Sequence, residues 1–264
     1  MSIVLIDISN THTKLVVVEP TQSSQILPLY KNELAFQIVE TSQISSDNLQ
    51  HYCDLLEQSS NSSIEQAWVS SVVPDKSAII QSFFESNDIV VQFINHQTVK
   101  DLVIDYPKPS EIGADRLANA VAAKYFYPSP AIVLDFGTAI TFDILDEQGS
   151  YIGGIIAPGI QMMKHYFCDK TALLPEMQLD ELKQTPQSII GRSTQEAMQI
   201  GTLTGHVGLV GHLLDKLKAE YENTGGNPPT IIACGGDAEL ICQHFQEIII
   251  HPRLTLDGLL LNFS

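Results

Sequence analysis

The sequence predicts an α/β fold built from two copies of one domain plan, and three observations predict it. Residues 2–6, 131–134 and 230–233 are short runs of β-branched and aliphatic residues of the kind that form buried strands. The first two runs each lead into an aspartate and a small polar turn, then resume as a second apolar strand. Around them, strand-like and helix-like stretches alternate, as in an α/β domain.

The first hairpin reads Asp7-Ile8-Ser9-Asn10-Thr11-His12-Thr13-Lys14, followed by Leu15, Val16, Val17 and Val18. The second reads Asp135-Phe136-Gly137-Thr138-Ala139 and resumes as Ile140-Thr141-Phe142-Asp143-Ile144-Leu145. Asp7 falls in register with Asp135, Ser9 with Gly137 and Asn10 with Thr138. Between the copies, residues 43–63 are rich in Ser, Gln and Asn, with apolar spacing at Leu49, Tyr52, Leu55 and Leu56 that predicts a solvated amphipathic helix and loop. Residues 67–74 predict a strand ending at Pro74, followed by a helix through Phe83 and Phe84. Residues 110–125, Ala-rich and following Pro109, predict another helix. The domain join is placed here, giving domains 1–112 and 113–264. Ser193-Thr194-Gln195-Glu196 is a capping box that opens a further helix. That helix carries Gly201, Gly205, Gly208 and Gly211, each costing roughly 1 kcal/mol relative to alanine, which predicts close approach of another backbone along it.

Composition narrows the function classes. In 264 residues, 44% apolar against 17% charged is enough for a sizeable core and excludes disorder and small disulfide scaffolds. A formal net charge of −17 disfavours nonspecific attraction to nucleic acid or to an anionic membrane, so an anionic ligand needs a local site. Cys53, Cys168, Cys234 and Cys242 are irregularly spaced and contain no C-x-x-C pair, which predicts buried free thiols. The eight histidines show no metal-ligand spacing. The N-terminus lacks the basic segment of a secretory signal, and no apolar run approaches the roughly 20 residues of a membrane span. A cytoplasmic protein is expected.

An aspartate at the end of a buried strand, followed by a turn of Gly, Ser, Asn or Thr, suits a nucleoside triphosphate. Turn amides and hydroxyls can face phosphate oxygens, while the carboxylate can meet Mg²⁺ directly or through water. Alone, such a turn is an ordinary turn former. Two in register, with a third strand ending at Cys234-Gly235-Gly236-Asp237-Ala238, outline the duplicated actin-like, ribonuclease H-like architecture of ATPases and kinases.

With Gly113-Ala114-Asp115-Arg116 lying between the two hairpins, the order and spacing resemble the type III pantothenate kinases. The likeness extends through residues 151–159, 171–175, 191–194 and 254–259 and so covers nearly the whole chain. It implies ATP-dependent phosphorylation of the primary hydroxyl of pantothenate, the first committed step toward coenzyme A, with ATP between the domains. It implies that Asp115 is the general base, at a helix start where the dipole favours the ionised form, and that Arg116 belongs to the substrate block with Gly113 and Ala114. Taken alone, Arg116 reads first as an ordinary surface salt bridge. The resemblance implies that Tyr106 and Thr194 contact pantothenate, Thr194 from the partner subunit of a homodimer; for Thr194 the competing role is helix capping. It implies ATP contacts at residues 7–14 and Thr138, and a monovalent cation, potassium or ammonium, at Asp135.

Three positions depart from the family pattern: Lys108, Cys234, and Ser9, where glycine is usual. If that turn needs a left-handed backbone, a Cβ there costs about 1–2 kcal/mol, and Ser9→Gly is expected to tighten ATP binding. Two rival readings share the fold, a noncatalytic regulatory protein and a kinase of another small molecule, since fold does not decide substrate. Retention of Asp7, Asp115, Arg116, Asp135 and Thr138 argues against the first.

Overall fold

The computed structural model describes residues 2–20, 30–177, 182 and 188–263. It divides into two compact units, residues 1–126 with 253–264, and residues 127–252.

The first unit is built on strand β1 (Ser2–Ile8), whose seven residues are all buried. A strand covered on both faces needs the continuous apolar run found here rather than alternation. It pairs antiparallel with β2 (His12–Pro20), which pairs antiparallel with β3 (Tyr30–Glu40). On its other side β1 pairs parallel with β4 (Ile64–Ser71), and β4 with β5 (Val90–Phe93), giving the order β3-β2-β1-β4-β5.

One face of this sheet, through Val4, Ile6, Leu15, Val17, Ala67 and Val69, packs against α1 (Ser46–Ser60) and α2 (Pro74–Ser86). Helix α1 starts where Ser45 accepts a hydrogen bond from the Asn48 amide, and it buries Leu49, Cys53 and Leu56 on one stripe. Helix α2 takes Pro74 at its first turn, where no amide partner is needed, and buries Ile80, Phe83 and Phe84.

Helices α3 (Ala114–Phe126) and α7 (Leu254–Phe263) pack on each other and against β1 and β4. A Cβ placed on Gly258 would overlap the backbone of Ala118, so α7 approaches α3 at a distance that only glycine permits. Beside this contact, the buried Thr255 hydroxyl donates to Asn119 Oδ1 at 2.8 Å.

The second unit repeats the plan. Strand β6 (Ala131–Phe136) pairs antiparallel with β7 (Ala139–Leu145), which pairs antiparallel with β8 (Tyr151–Pro158). It pairs parallel with β9 (Thr230–Cys234), which pairs parallel with β10 (Ile248–Ile250). The order β10-β9-β6-β7-β8 is the first sheet strand for strand, with the same directions. Ile132, Leu134, Phe136, Ile140 and Phe142 form a core that includes Met198, Leu203, Val210 and Leu214 of α5 (Thr194–Asn223). Helices α4 (Ile160–Lys170) and α6 (Ala238–Cys242) complete the unit.

Several sequence expectations change. Residues 113–126 and 253–264 fall in the first unit, whereas the sequence division at 112 assigned them to the second domain. The reason is packing: α3 and α7 bury their apolar sides on β1 and β4. The helix expected from residue 110 begins at Ala114, because residues 109–111 form a separate 3₁₀ turn and Ile112 is extended. Cys53, Cys234 and Cys242 are buried free thiols, and Cys168 is partly exposed. Burial pushes the Cys53 and Cys242 thiols up to about 12, which keeps them protonated and unreactive.

Gly258→Ala is expected to lower stability by about 1–3 kcal/mol through overpacking against Ala118. Thermal denaturation checks this, and an unchanged midpoint would show that α3 and α7 can part without cost.

Candidate active site

In the first unit the hairpin register pairs Asp7 with Lys14 and Ile8 with Thr13, leaving Ser9, Asn10 and Thr11 as the turn. The Ser9 amide donates to the His12 carbonyl at 3.0 Å and the Ser9 hydroxyl donates to the same oxygen at 2.8 Å. The His12 amide donates back to Ser9 Oγ at 3.3 Å. Asn10, Thr11 and His12 are exposed, while Ile8 and Thr13 are buried and could meet a ligand only through backbone. Asp7 is buried at the strand end, and Lys14 Nζ lies 3.7 Å from its carboxylate.

The expectation of strain at Ser9 fails. Ser9 is not among the residues with positive φ, and its hydroxyl closes the turn. The serine therefore replaces glycine's freedom with a hydrogen bond.

Side chains alternate along β1, so Asp7 shares the face of Ile3 and Leu5, opposite Val4 and Ile6, which pack toward α1 and α2. Helices α3 and α7 cover that same side. At the start of α3, Asp115 is partly exposed, and its Oδ1 accepts from the Arg116 amide at 2.8 Å. A Cβ on Gly113 would come within 2.6 Å of that oxygen and 3.5 Å of Val72 Cγ1. Glycine thus makes room for the Asp115 carboxylate beside Val72, whose amide donates to the carbonyl of Ile8 at 3.1 Å. This chain of contacts sets Asp115 near the end of β1, where the turn of residues 9–11 begins. Arg116 is partly exposed in the same helical turn, and Tyr106 is partly exposed in the irregular segment before the 3₁₀ turn. Ala114 is buried and anchors the helix start.

In the second unit Asp135 stands at the end of β6, opposite Thr141 on β7 and Cys234 on β9. Gly137 and Thr138 form the turn, where the Gly137 amide donates to Ala139 O and Thr138 O accepts from the Gly159 amide, both at 3.1 Å. Gly235 has φ +93°, and a Cβ there would meet Phe136 O at 2.5 Å and Asp135 Oδ1 at 2.6 Å. A carboxylate and a carbonyl oxygen therefore converge beside a glycine. Asp143 lies within β7, fully buried, and accepts from the Tyr151 hydroxyl at 2.9 Å. It is a core residue rather than a turn cap.

Ser193 caps α5 by accepting from the Glu196 amide at 3.1 Å, while Glu196 Oε2 accepts from the Arg192 amide. Thr194 is thus freed from capping and is exposed on the first helical residue. Among the described residues nothing approaches within 4 Å of a Cβ built on Gly201, Gly205 or Gly208, whereas Gly211 faces the Phe245 ring. The close approach expected along this helix is therefore absent within the described chain at the first three.

Asp237, which sequence reasoning did not single out, receives two hydrogen bonds from the Gln161 amide group, at 2.9 and 3.1 Å, and its own amide donates to Phe136 O. Burial pushes its carboxyl above the usual aspartate range, partly offset by the Gln161 bonds and by nearby His206. Its partner is 76 residues away, so no local signal marks the pair.

Two sheets of one order, each with an aspartate at the end of its central strand before a polar turn, define a duplicated actin-like ATPase or kinase fold. Solved structures share it. EutJ, an ethanolamine utilization protein from Carboxydothermus hydrogenoformans, is 11% identical with a TM-score of 0.55, over 100% of this chain and 90% of that one. Component A of the (R)-2-hydroxyglutaryl-CoA dehydratase of Acidaminococcus fermentans is 12% identical with a TM-score of 0.52, over 99% and 96%. A conserved Campylobacter jejuni protein described as a Baf-family transcriptional activator is 17% identical with a TM-score of 0.57, over 97% and 94%. The chain belongs to the type III pantothenate kinase family, whose model matches residues 3–216. A type III pantothenate kinase of Methylacidiphilum infernorum is 37% identical over 97% of this chain and 86% of its own length. One from Akkermansia muciniphila is 38% identical over 98% and 97%.

Ser9→Gly is expected to raise the KM for ATP by about three- to tenfold, through loss of the two turn hydrogen bonds of the serine hydroxyl. Initial rates against ATP concentration check this, and a lower KM would restore the strained-turn account.

Because the folded pKa of Asp237 is raised, the native state binds more protons than the unfolded chain just above the ordinary aspartate range. Stability contributed by its protonated form is therefore lost as pH rises through that window. Asp237→Asn should flatten this part of the pH profile of Tm relative to the parent, and parallel profiles would remove the assignment.

Proposed function

We infer that this chain phosphorylates the primary hydroxyl of pantothenate with ATP, giving 4'-phosphopantothenate in the first step of coenzyme A biosynthesis. The observation that carries the site assignment is the seating of Asp115 beside Val72, whose amide bonds to the end of the phosphate strand. A base and a phosphate-binding turn are thereby joined in one unit.

In this reading residues 7–14 and Thr138 bind ATP, with Ile8 and Thr13 contributing backbone. Asp115 accepts the proton of the attacking hydroxyl. An aspartate is a weak base near neutral pH, but phosphoryl transfer has a loose transition state that places little proton demand on the nucleophile, so alignment outweighs basicity. Arg116 offers a planar fork of donors to a carboxylate or to the transferring phosphoryl group. Tyr106 and Thr194 position pantothenate, Thr194 from the partner subunit of a homodimer. The exposed glycines at 201, 205 and 208 support a close helix contact between copies of the chain. No described helix is long and apolar enough to cross a membrane; we place the enzyme in the cytoplasm.

Two ions fit the residues present. Among the described residues no three of His, Cys, Asp or Glu are grouped to hold a metal. Mg²⁺ is usually held by one or two carboxylates together with phosphates and water. Asp7 is the residue to meet it, and the ion would neutralise phosphate charge. A monovalent cation, potassium or ammonium, fits Asp135, where an all-oxygen donor set of carboxylate and Phe136 carbonyl lies against Gly235.

The deciding experiment is ATP consumption with and without pantothenate, in potassium and then in sodium, for the parent and Asp115→Asn. The expected result is pantothenate-dependent turnover that needs potassium and falls about 100-fold or more in the variant. Turnover of ATP indifferent to pantothenate would sink the substrate assignment; a fully active Asp115→Asn would sink the base.

A further inference from the structure

The turn between β1 and β2 is held from outside the hairpin. Thr41, the first residue of the 3₁₀ turn (Thr41–Gln43) after β3, donates its amide to Thr11 O at 2.9 Å. Its hydroxyl donates to Ser9 O at 2.8 Å and lies 3.0 Å from the Thr13 hydroxyl. Thr41 is 3% exposed and Thr13 fully buried, so neither side chain is available to a ligand, and water does not compete for their bonds.

These bonds decide which way the turn's dipoles point. A trans peptide is planar, with its carbonyl and amide on opposite edges. With Ser9 O drawn inward to Thr41, the Asn10 amide in the same peptide is turned outward. The Ser9 and Thr11 carbonyls, which would repel phosphate oxygens, are both occupied. The His12 amide is taken by Ser9 Oγ, and the Asn10 amide is the donor whose outward direction the Ser9 O bond fixes. A turn fixed this way before binding avoids the ordering cost that a loose loop would meet on contact with its ligand.

We propose that Thr41 is a positioning residue for ATP: its amide and hydroxyl hold the Ser9 and Thr11 carbonyls inward, so that the turn offers an amide to the nucleotide phosphates. This rests on the reading of residues 7–14 as the phosphate site. Thr41 touches no substrate, so its effect falls on nucleotide affinity and leaves pantothenate binding alone.

The test compares Thr41→Val, which keeps the shape and removes the hydroxyl, with Thr41→Ser, which restores the hydroxyl. Lys14→Ala serves as a probe of the phosphate site itself. For each, the Kd for ATP is measured by calorimetry, together with kcat, the KM for each substrate and Tm. Thr41→Val should weaken ATP binding about fivefold or more, with kcat and the KM for pantothenate within about twofold. Thr41→Ser should bind ATP within about twofold of the parent. Should Thr41→Val not fold, Thr41→Ala removes the same hydroxyl without adding a methyl to the buried site, with the same result expected. The proposal is overturned if the valine variant binds ATP like the parent, if serine fails to rescue it, or if both substrates weaken in step with a loss of Tm. If Lys14→Ala weakens ATP while Thr41→Val does not, only the role of Thr41 falls. If neither changes ATP affinity, the reading of the turn as the phosphate site falls with it.

Discussion

The close crossing of α7 over α3 is the contact on which the first unit depends. Gly258 permits it sterically, and Thr255 fixes it through Asn119. Because α3 is pressed against β4 by this crossing, its first turn is held in one place, and with it Gly113, Asp115 and Arg116. Asn262 extends the same anchorage, accepting from the Lys100 amide at 2.7 Å and donating to Thr98 O. Trp68 on β4 meets Phe263 with ring centroids 5.7 Å apart. The ten residues of α7 thus act on the helix that carries Asp115, nearly 140 positions earlier in the chain.

Electrostatics reinforce the local character of the site. With a net charge of −17, the surface as a whole repels a polyphosphate. Attraction has to come from fixed short-range donors. In the proposed site, Lys14 beside Asp7, the Asn10 amide and Arg116 at the start of α3 are the groups of that kind. Such donors lose less to salt than exposed charges do. Asp237 follows a different rule: partly buried, its carboxylate is compensated by two hydrogen bonds from Gln161.

Much of this was legible in the sequence, and the boundary between legible and hidden has a physical cause. The strands around Asp7 and Asp135 announced themselves because their residues are buried on both faces, which demands an unbroken apolar run. The capping box at Ser193 is a local hydrogen-bond pattern and was readable as one, although Glu196 returns to Arg192 rather than to Ser193. Edge strands β3 and β5 and the short α6 carry mixed, partly exposed sequences, and β10 is a run of only three isoleucines, so none gave a clear period. Thr41, Gln161 and Asp237 act through partners 28 to 76 residues away, and no spacing rule reaches that far. The strain argued for Ser9 failed for a related reason: residue type alone does not say whether a turn is satisfied by backbone freedom or by a side-chain bond.

The discontinuity of the first unit bears on how the chain is made. Residues 127–252 are contiguous and can complete their own sheet and core as soon as they leave the ribosome. The first unit is begun earlier yet lacks α7 until residues 254–263 emerge. During synthesis the apolar surface of α3 and the neighbouring strands therefore stays uncovered longest, reversing the usual order in which the N-terminal domain is finished first. The unit that carries Asp115 is completed only after residues 127–252 have been made, and disruption of α7 would strike it rather than the unit translated just before.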